Sequence, residues 1–360
     1  MKEISVADQK IFTRQLLAWY RPSDRPMPWK AIKNPYFIWL SEIILQQTRV
    51  EQGLPYYLRF TQQYPTVTDL AQAPEDAVLK LWEGLGYYSR ARNLHVAAKH
   101  VQETHGGVFP STYKDIRALK GVGEYTAAAI ASFAYDLPYA VVDGNVYRVL
   151  ARVFGIDTPI DSTAGKKEFR ALADALLAPD KAADYNQAIM DFGATVCMPK
   201  NPLCNVCPFQ SRCQAWYSQT IGQLPVKAKK IKKRPRYFYY LVINHEEQVY
   251  VRKRPEGDVW AGLYDFALIE LEQLVEGMFL MDALAQTAFW QVNIAPKSLQ
   301  IQQVSKLHKQ TLSHQHIHAI FIEMRAGTGY FMENPDFLAI ERKKIKNFAF
   351  PKLIGRYLDS

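Results

Sequence analysis

Two carboxylates stand out by their surroundings. Glu42 lies inside the apolar run Tyr36–Leu45, YFIWLSEIIL, where burial would disfavour its charged form and raise its pKa. The alternative is a helix-start carboxylate stabilised by the helix dipole. Asp143 directly precedes GNVYRV and can cap a helix whose dipole would keep it ionised; capping alone is the competing reading. The histidines, at 95, 100, 105, 245, 308, 314, 316 and 318, include none near either carboxylate in sequence, which argues against a histidine base or a Ser-His triad. A proton-donating carboxyl and a separate carboxylate remain. Glycoside hydrolysis uses such a pair at a sugar carbon, through an oxocarbenium-like state.

All four cysteines fall within CMPKNPLCNVCPFQSRC, as C-x6-C-x2-C-x5-C at Cys197, Cys204, Cys207 and Cys213. The N-terminus MKEISVADQK has no apolar signal core and no run of eighteen apolar residues occurs. The expectation is a soluble, cytoplasmic chain that does not engage a membrane, in a reducing compartment where disulfides are disfavoured. Structural zinc usually takes two C-x2-C knuckles and this loop has one, so the spacing leaves zinc and an iron–sulfur cluster both open.

These groups need elements to hold them. In LKGVGEYTAAAI, Gly121 and Gly123 flank one apolar residue; glycines there permit positive φ and let a phosphate approach bare backbone, unless the segment is an ordinary turn. Thr126–Ala134 should be a helix whose first amides face the same anion. WEGLGYYSRARNL, 82–94, offers a tight glycine loop ahead of a basic helix, with Leu85 and Tyr87 as possible core anchors. Apolar spacings of three and four predict helices over 8–20, 38–60, 75–83, 87–105, 124–134, 144–154, 165–177 and 184–197. After Pro235 the pattern alternates, in YFYYLVINHEEQVYVRKR and again near 299–307 and 315–325, which predicts an α+β domain. The net charge of +9 concentrates in KAKKIKKRPR, 227–236, with seven basic residues; the run is a solvated linker or a phosphate grip. With 360 residues and 48% hydrophobic content, two domains are expected.

The combination LKGVGEYTAAAI plus VVDGNVYRV resembles the helix-hairpin-helix DNA glycosylase superfamily, and SEIILQQTRVEQ resembles its adenine-specific, MutY-type branch. The resemblance implies a multi-domain fold: an all-α helix-hairpin-helix glycosylase core over 1–225 with a [4Fe–4S] loop at 197–213, a basic linker at 226–236, and an α+β Nudix-like lesion-recognition domain at 237–360. It implies that Glu42 donates a proton to adenine N7 and that Asp143 stabilises the cationic sugar. Arg25, Trp29, Lys30, Leu45 and Gln187 then belong to the adenine pocket. Gln47, Thr48, Gly86, Gly121, Gly123 and Asn145 contact DNA, and Leu85 and Tyr87 wedge into the base stack. Bifunctional relatives such as endonuclease III carry a Schiff-base lysine where this chain has Tyr125; Lys120 precedes the hairpin and does not take that role. The expected reaction is therefore base removal without strand cutting.

By the same resemblance the four cysteines ligate a [4Fe–4S] cluster, with Lys200 and Arg212 giving its loop a basic surface. TLSHQH places Ser313 and His314 at 8-oxoguanine, although Leu312 stands where relatives often have an aromatic. No G-x5-E-x7-R-E-x2-E-E box follows Gly257 or Gly262, so nucleotide hydrolysis is not expected. His314, His316 and His318 could share a strand face and bind metal, but without an acidic or thiolate companion. The implied substrate is double-stranded DNA with an A:8-oxoguanine or A:G mispair, bound by a monomer that is nucleoid-associated if bacterial. The competing expectations are an endonuclease III-like lyase on damaged pyrimidines, which Tyr125 opposes, and a non-catalytic iron–sulfur DNA-binding protein, which would not need the carboxylate pair.

Overall fold

The computed structural model describes residues 5–228, 232–294, 299–327 and 334–360. They divide into two compact units, residues 1–72 with 93–230 and residues 73–92 with 231–360. One division falls inside the basic run expected as linker, of which residues 229–231 lie outside the described residues. The others, around 73–92, have no counterpart in the expected boundaries. No helix among the described residues is long and apolar enough to cross a membrane.

The first unit is helical. Helix Pro35–Leu45 starts where Asn34 accepts from the backbone N–H groups of Tyr36 and Phe37, with Pro35 at the first position, where a missing N–H costs nothing. The single helix expected over 38–60 is two, Pro35–Leu45 and Val50–Gln63. Gln47 between them adopts φ 54°, and a left-handed residue cannot continue an α-helix. Helices Val6–Trp19, Glu124–Tyr135, Gly144–Phe154, Thr163–Leu176 and Ala182–Thr195 lie where the periodicity puts them. Val67–Gln72, Tyr113–Ala118 and Gln214–Tyr217 are too short to show a period. The core joins Val146, Val149 and Leu150 of helix Gly144–Phe154 to Ile189 and Phe192 of helix Ala182–Thr195 and to Phe209 of the cysteine loop. Each such side chain contributes about 1.5–3 kcal/mol when fully buried. Buried Ala127, Ala128, Ala129 and Ala131 present almost no side chain, and helix Pro35–Leu45 packs on Glu124–Tyr135. That contact brings Glu42 to Tyr125.

Among the described residues the second unit is built on an eight-stranded sheet: β1 (Arg234–His245), β2 (Gln248–Lys253), β3 (Tyr264–Asp265), β4 (Ala267–Leu271), β5 (Leu299–Val304), β6 (His308–Thr311), β7 (Gln315–Ala326) and β8 (Phe337–Glu341). β1 runs parallel to β7 from Arg234 opposite Gln315 to Asn244 opposite Arg325. Its other side pairs antiparallel with β4 and then β2. Arg234 and Arg236, read as linker, therefore belong to a strand. Tyr239, Leu241 and Ile243 of β1 point with Ile320, Ile322 and Met324 of β7 into one core, covered by Leu280 and Leu284, as a period of two requires. On the opposite face Tyr240, Phe321 and Tyr357 stack in series.

Segment 73–92 joins this unit through specific bonds. Asp76 Oδ2 accepts from the Tyr264 hydroxyl at 2.9 Å, Lys80 Nζ donates to the Phe348 carbonyl at 3.0 Å, and Glu83 Oε1 accepts from the Phe350 N–H at 2.9 Å. Asp265, fully buried, is held by Arg254 Nη1 at 2.6 Å and Arg252 Nε at 3.1 Å, which offsets the cost of desolvating a carboxylate.

Candidate active site

Glu42 projects from helix Pro35–Leu45 into a cavity of about 410 Å³ in the first unit, lined also by Trp29, Lys30, Ser41, Asp184 and Gln187. Burial pushes its pKa up to about 7, and the charge of Asp143 pushes the same way, against a hydrogen bond with Tyr125. The Tyr125 phenol is in turn raised well above its ordinary value, first by burial and then by the charges of Glu42 and Asp143. The protonated carboxyl is thus the species that desolvation favours near neutral pH.

Asp143 caps helix Gly144–Phe154. Its Oδ1 accepts from the backbone N–H groups of Asn145 and Val146, both at 2.8 Å, and its Oδ2 from Asn145 Nδ2 at 2.7 Å. Burial raises the Asp143 pKa, opposed by these three bonds and by Arg148. The cap expected from the sequence is present, and its bonds oppose a desolvation shift that the expectation did not include. Asn145, expected at the DNA, is committed to bracing Asp143. Its Oδ1 also accepts from Arg148 Nη2 at 2.8 Å, and Gly193 lets helix Ala182–Thr195 come close, since a Cβ there would lie 2.6 Å from that of Asn145.

Around the cavity, Trp29 meets Tyr57 edge-on with centroids 5.0 Å apart. Lys30 Nζ donates to Asp191 Oδ2 at 2.5 Å and to the Arg25 carbonyl at 2.9 Å. Arg25 Nη1 reaches Asp191 Oδ1 at 2.7 Å, and Gln187 Nε2 the same oxygen at 3.3 Å. Burial lowers the Lys30 pKa, and Asp191 counteracts this. Asp191, which sequence reasoning missed, is the anion that organises three expected pocket residues. The signal was available: an acid one helical turn after Gln187, in the row Asp184, Gln187 and Asp191 at spacings of three and four. Of the expected pocket residues, Arg25 and Leu45 do not line this cavity; Arg25 stands behind it on Asp191, and the Leu45 Cδ2 packs over Gly53.

In the hairpin, Gly121 has φ 78° and a Cβ there would strike Asn93. Gly123 instead is extended, with φ −84°, and stands at the N-cap of helix Glu124–Tyr135 without a capping side chain. The pair therefore divides its work between a left-handed turn and an uncovered helix start. Gln47 is exposed and Thr48 partly so, with Thr48 Oγ1 donating to the Gln46 carbonyl at 3.2 Å.

The second unit holds a cavity of about 630 Å³ lined by Leu85, Gly86, Tyr87, Trp260, Ser313 and His314. Here the expected wedge splits. Leu85 is buried, 5% exposed, whereas Tyr87 is 46% exposed and its hydroxyl lies 2.6 Å from that of Ser313. Leu85 is thus an anchor, since the Gly86 carbonyl is tied to Trp82 Nε1 at 3.0 Å and Arg90 Nη2 at 3.2 Å, which turns the loop inward before Tyr87. His314 precedes β7 and so leaves His316 and His318 on the strand, the former bonded to Thr311 and the latter edge-on to Tyr237.

The four cysteines line one small cavity of about 30 Å³ with apolar walls and Arg152, whose Nη1 lies 3.6 Å from Cys197 Sγ. Arg152 also donates to the carbonyls of Met198 and Pro199, and Arg148 to that of Cys197. Among the described residues no group of three His, Cys, Asp or Glu is close enough to hold a single metal ion. Lys200 is exposed, and Arg212 pairs with Asp8 at 3.2 Å.

Comparison with known proteins gives the class first. A family model described as "HhH-GPD superfamily base excision DNA repair protein" matches residues 40–175, and one described as "NUDIX domain" matches residues 238–360. The "Adenine DNA glycosylase" of Buchnera aphidicola subsp. Baizongia pistaciae is 36% identical over 258 residues, 71% of this chain and 73% of that protein. That of Buchnera aphidicola subsp. Schizaphis graminum is 30% identical across 97% of this chain and 98% of its own length. That of Rattus norvegicus is 46% identical over 61% of this chain and 44% of its own. The chain belongs to the adenine DNA glycosylase family. Among solved structures, a thermostable thymine-DNA glycosylase aligns with a TM-score of 0.54 at 31% identity, covering 58% of this chain and 97% of that one. A non-covalent endonuclease III–DNA complex aligns at 0.53 and 19% identity, over 61% of this chain and 99% of that one, and shares the fold.

Proposed function

We propose that the chain hydrolyses the N-glycosidic bond of adenine mispaired with 8-oxoguanine or guanine in double-stranded DNA and leaves the strand intact. The observation that carries this is the Glu42 carboxyl, held near a pKa of about 7 in a base-sized cavity beside Asp143 and Tyr125. A flipped adenine would rest against Trp29, with Lys30 and Gln187 at its edges. Glu42 donates its proton to N7, so the base departs as a neutral leaving group. The Asp143 carboxylate faces the cationic sugar left behind, and water adds at C1′ to give an abasic site. Tyr125 has no amine with which to form a Schiff base, so no lyase step follows. Gly121 and the uncovered helix start at Gly123 offer backbone N–H groups to a phosphate, and Gln47 and Thr48 would meet the opposite strand.

Ser313 and His314, with Tyr87, are the residues we assign to the base opposite adenine. Cys197, Cys204, Cys207 and Cys213 would hold a [4Fe–4S] cluster: four sulfur donors line one cavity beside the Arg152 guanidinium. When bound, the cluster cross-links the loop. The protein would act as a monomer in the cytoplasm, on the nucleoid in a bacterium.

The test uses duplexes containing A opposite 8-oxoguanine, A opposite G, or thymine glycol, developed with and without alkali. Adenine release with strand breaks only after alkali is expected. Breaks without alkali would overturn the monofunctional reading, and activity confined to thymine glycol would overturn the adenine reading.

A further inference from the structure

Asn186 is fully buried on helix Ala182–Thr195, and every hydrogen-bonding group of its amide is used. Its Oδ1 accepts from the Val141 N–H at 3.0 Å, and its Nδ2 donates to Ser132 Oγ at 2.8 Å and to the Tyr139 carbonyl at 2.9 Å. Those partners belong to different elements. Ser132 lies on helix Glu124–Tyr135, which also carries Tyr125, whereas Tyr139 and Val141 belong to the segment that ends at Asp143. Val141 in turn packs on Ala128 and Ala129, in a cluster that Tyr125 and Met190 border. One side chain thus ties the Asp143 segment to the helix that holds Tyr125 against Glu42.

We propose that Asn186 is a positioning residue for the reaction: it fixes the backbone leading into Asp143, and so the placing of the Asp143 carboxylate against Glu42 and the sugar. The assignment rests on the reading of Glu42 as acid and Asp143 as sugar-facing anion. The cap bonds at Asn145 and Val146 fix how Asp143 sits on its own helix, but they do not fix where the preceding chain enters that helix. Two backbone hydrogen bonds from one buried amide do. An amide with both donors and its acceptor satisfied in the interior has no cheap alternative arrangement.

The charge of Asp143 is one of the influences that hold Glu42 protonated near neutral pH, which gives the proposal a readout that mere destabilisation lacks. The ionisable groups facing Glu42 are Tyr125 from helix Glu124–Tyr135, Asp143 from its helix start, and Tyr20, Lys30, Lys33 and Asp184, which line the same cavity. Of these, Asp143 and Tyr125 are coupled to the Asn186 amide, Asp143 through the backbone it clamps and Tyr125 through Ser132 on the same helix.

Asn186→Leu keeps roughly the size and adds no charge, but removes the acceptor for the Val141 N–H and the donors to Ser132 and the Tyr139 carbonyl. Single-turnover excision from an A:8-oxoguanine duplex is measured across pH for the full-length protein and this variant, with binding to a non-cleavable duplex alongside. The expected result is a rate lower by roughly ten- to a hundredfold, as for a misplaced catalytic group. The midpoint at which rate falls with rising pH should move to lower pH, with binding little changed. Ser132→Ala, which withdraws one acceptor and is less disruptive, should show the same displacement in smaller measure and serves if the first variant fails to fold. An unchanged rate, or a lower rate with the midpoint unmoved, overturns the proposal. If the unaltered protein shows no fall in rate near neutral pH, the Glu42 assignment itself has failed; if it does and the variants' profiles coincide with it, only the role of Asn186 has.

Discussion

The hydroxyls of Tyr87 and Ser313 lie 2.6 Å apart, linking a glycine-loop residue to the loop between β6 and β7 within one compact unit. The pair presents a single polar edge to the cavity of about 630 Å³. Tyr87→Phe keeps the ring and removes the bond, which is worth about 0.5–1.5 kcal/mol. Preference for A:8-oxoguanine over A:G should therefore fall by about two- to tenfold, read from single-turnover rates on both duplexes. Ser313→Ala with His314→Ala should cost about ten- to a hundredfold, with the A:G rate little altered. Equal losses on both duplexes would mean that these residues serve the fold.

Replacing Glu42 by Gln keeps the shape of the side chain and removes the proton. Excision should drop by about 10²–10⁴-fold, while binding to the mispaired duplex is retained. Turnover near that of the unaltered protein would exclude Glu42 as the acid.

The sign of the pH dependence follows from which form acts. Glu42 works protonated, with its pKa pushed up to about 7. The single-turnover rate should hold below that value and fall by about tenfold per pH unit well above it. A rate that climbs through neutral pH would show that a deprotonated group governs the step.

Much of this site was legible in the sequence because its chemistry is local. Asp143 ahead of GNVYRV announces a cap, which is present, and the apolar run around Glu42 announces a desolvated carboxyl, but the upward shift that burial imposes on Asp143 itself was not foreseen. What escaped depended on contacts distant in sequence. Asp191 holds Arg25 and Lys30 from across the fold, and Asn186 looks like any polar residue on an amphipathic helix. Gln47 breaks a helix whose apolar spacing runs on undisturbed. Leu85 and Tyr87 carry similar patterns on either side of Gly86, yet the loop turns one inward and leaves the other exposed.

Cluster identity has a direct readout. Protein purified without oxygen should be yellow-brown, with broad absorbance near about 400 nm, whereas zinc is colourless. Stoichiometric zinc without iron would overturn the assignment. Cys204→Ser should reduce soluble yield before it reduces excision per folded molecule, since the loop that carries Cys204 supports the fold, through Phe209 in the core and through Arg148 and Arg152 of helix Gly144–Phe154.

Truncation after Pro225 tests how the chain divides its labour. Were 237–360 an independent reader, removing it would cost selectivity alone. Segment 73–92, however, belongs to the second unit, where Asp76, Lys80 and Glu83 bond to Tyr264, Phe348 and Phe350. The truncated chain would keep this segment and lose every one of those partners, together with Ser313 beside Tyr87. Each lost bond is worth about 0.5–1.5 kcal/mol, and the polar groups return to water. The segment should therefore open locally, bringing faster cleavage between residues 73 and 92 under limited proteolysis. Excision should slow on A:G as well as on A:8-oxoguanine, because a loop that opens no longer presents Tyr87. A truncated protein that resists proteolysis there and loses only its preference for 8-oxoguanine would return the segment to the helical unit and restore the simpler division.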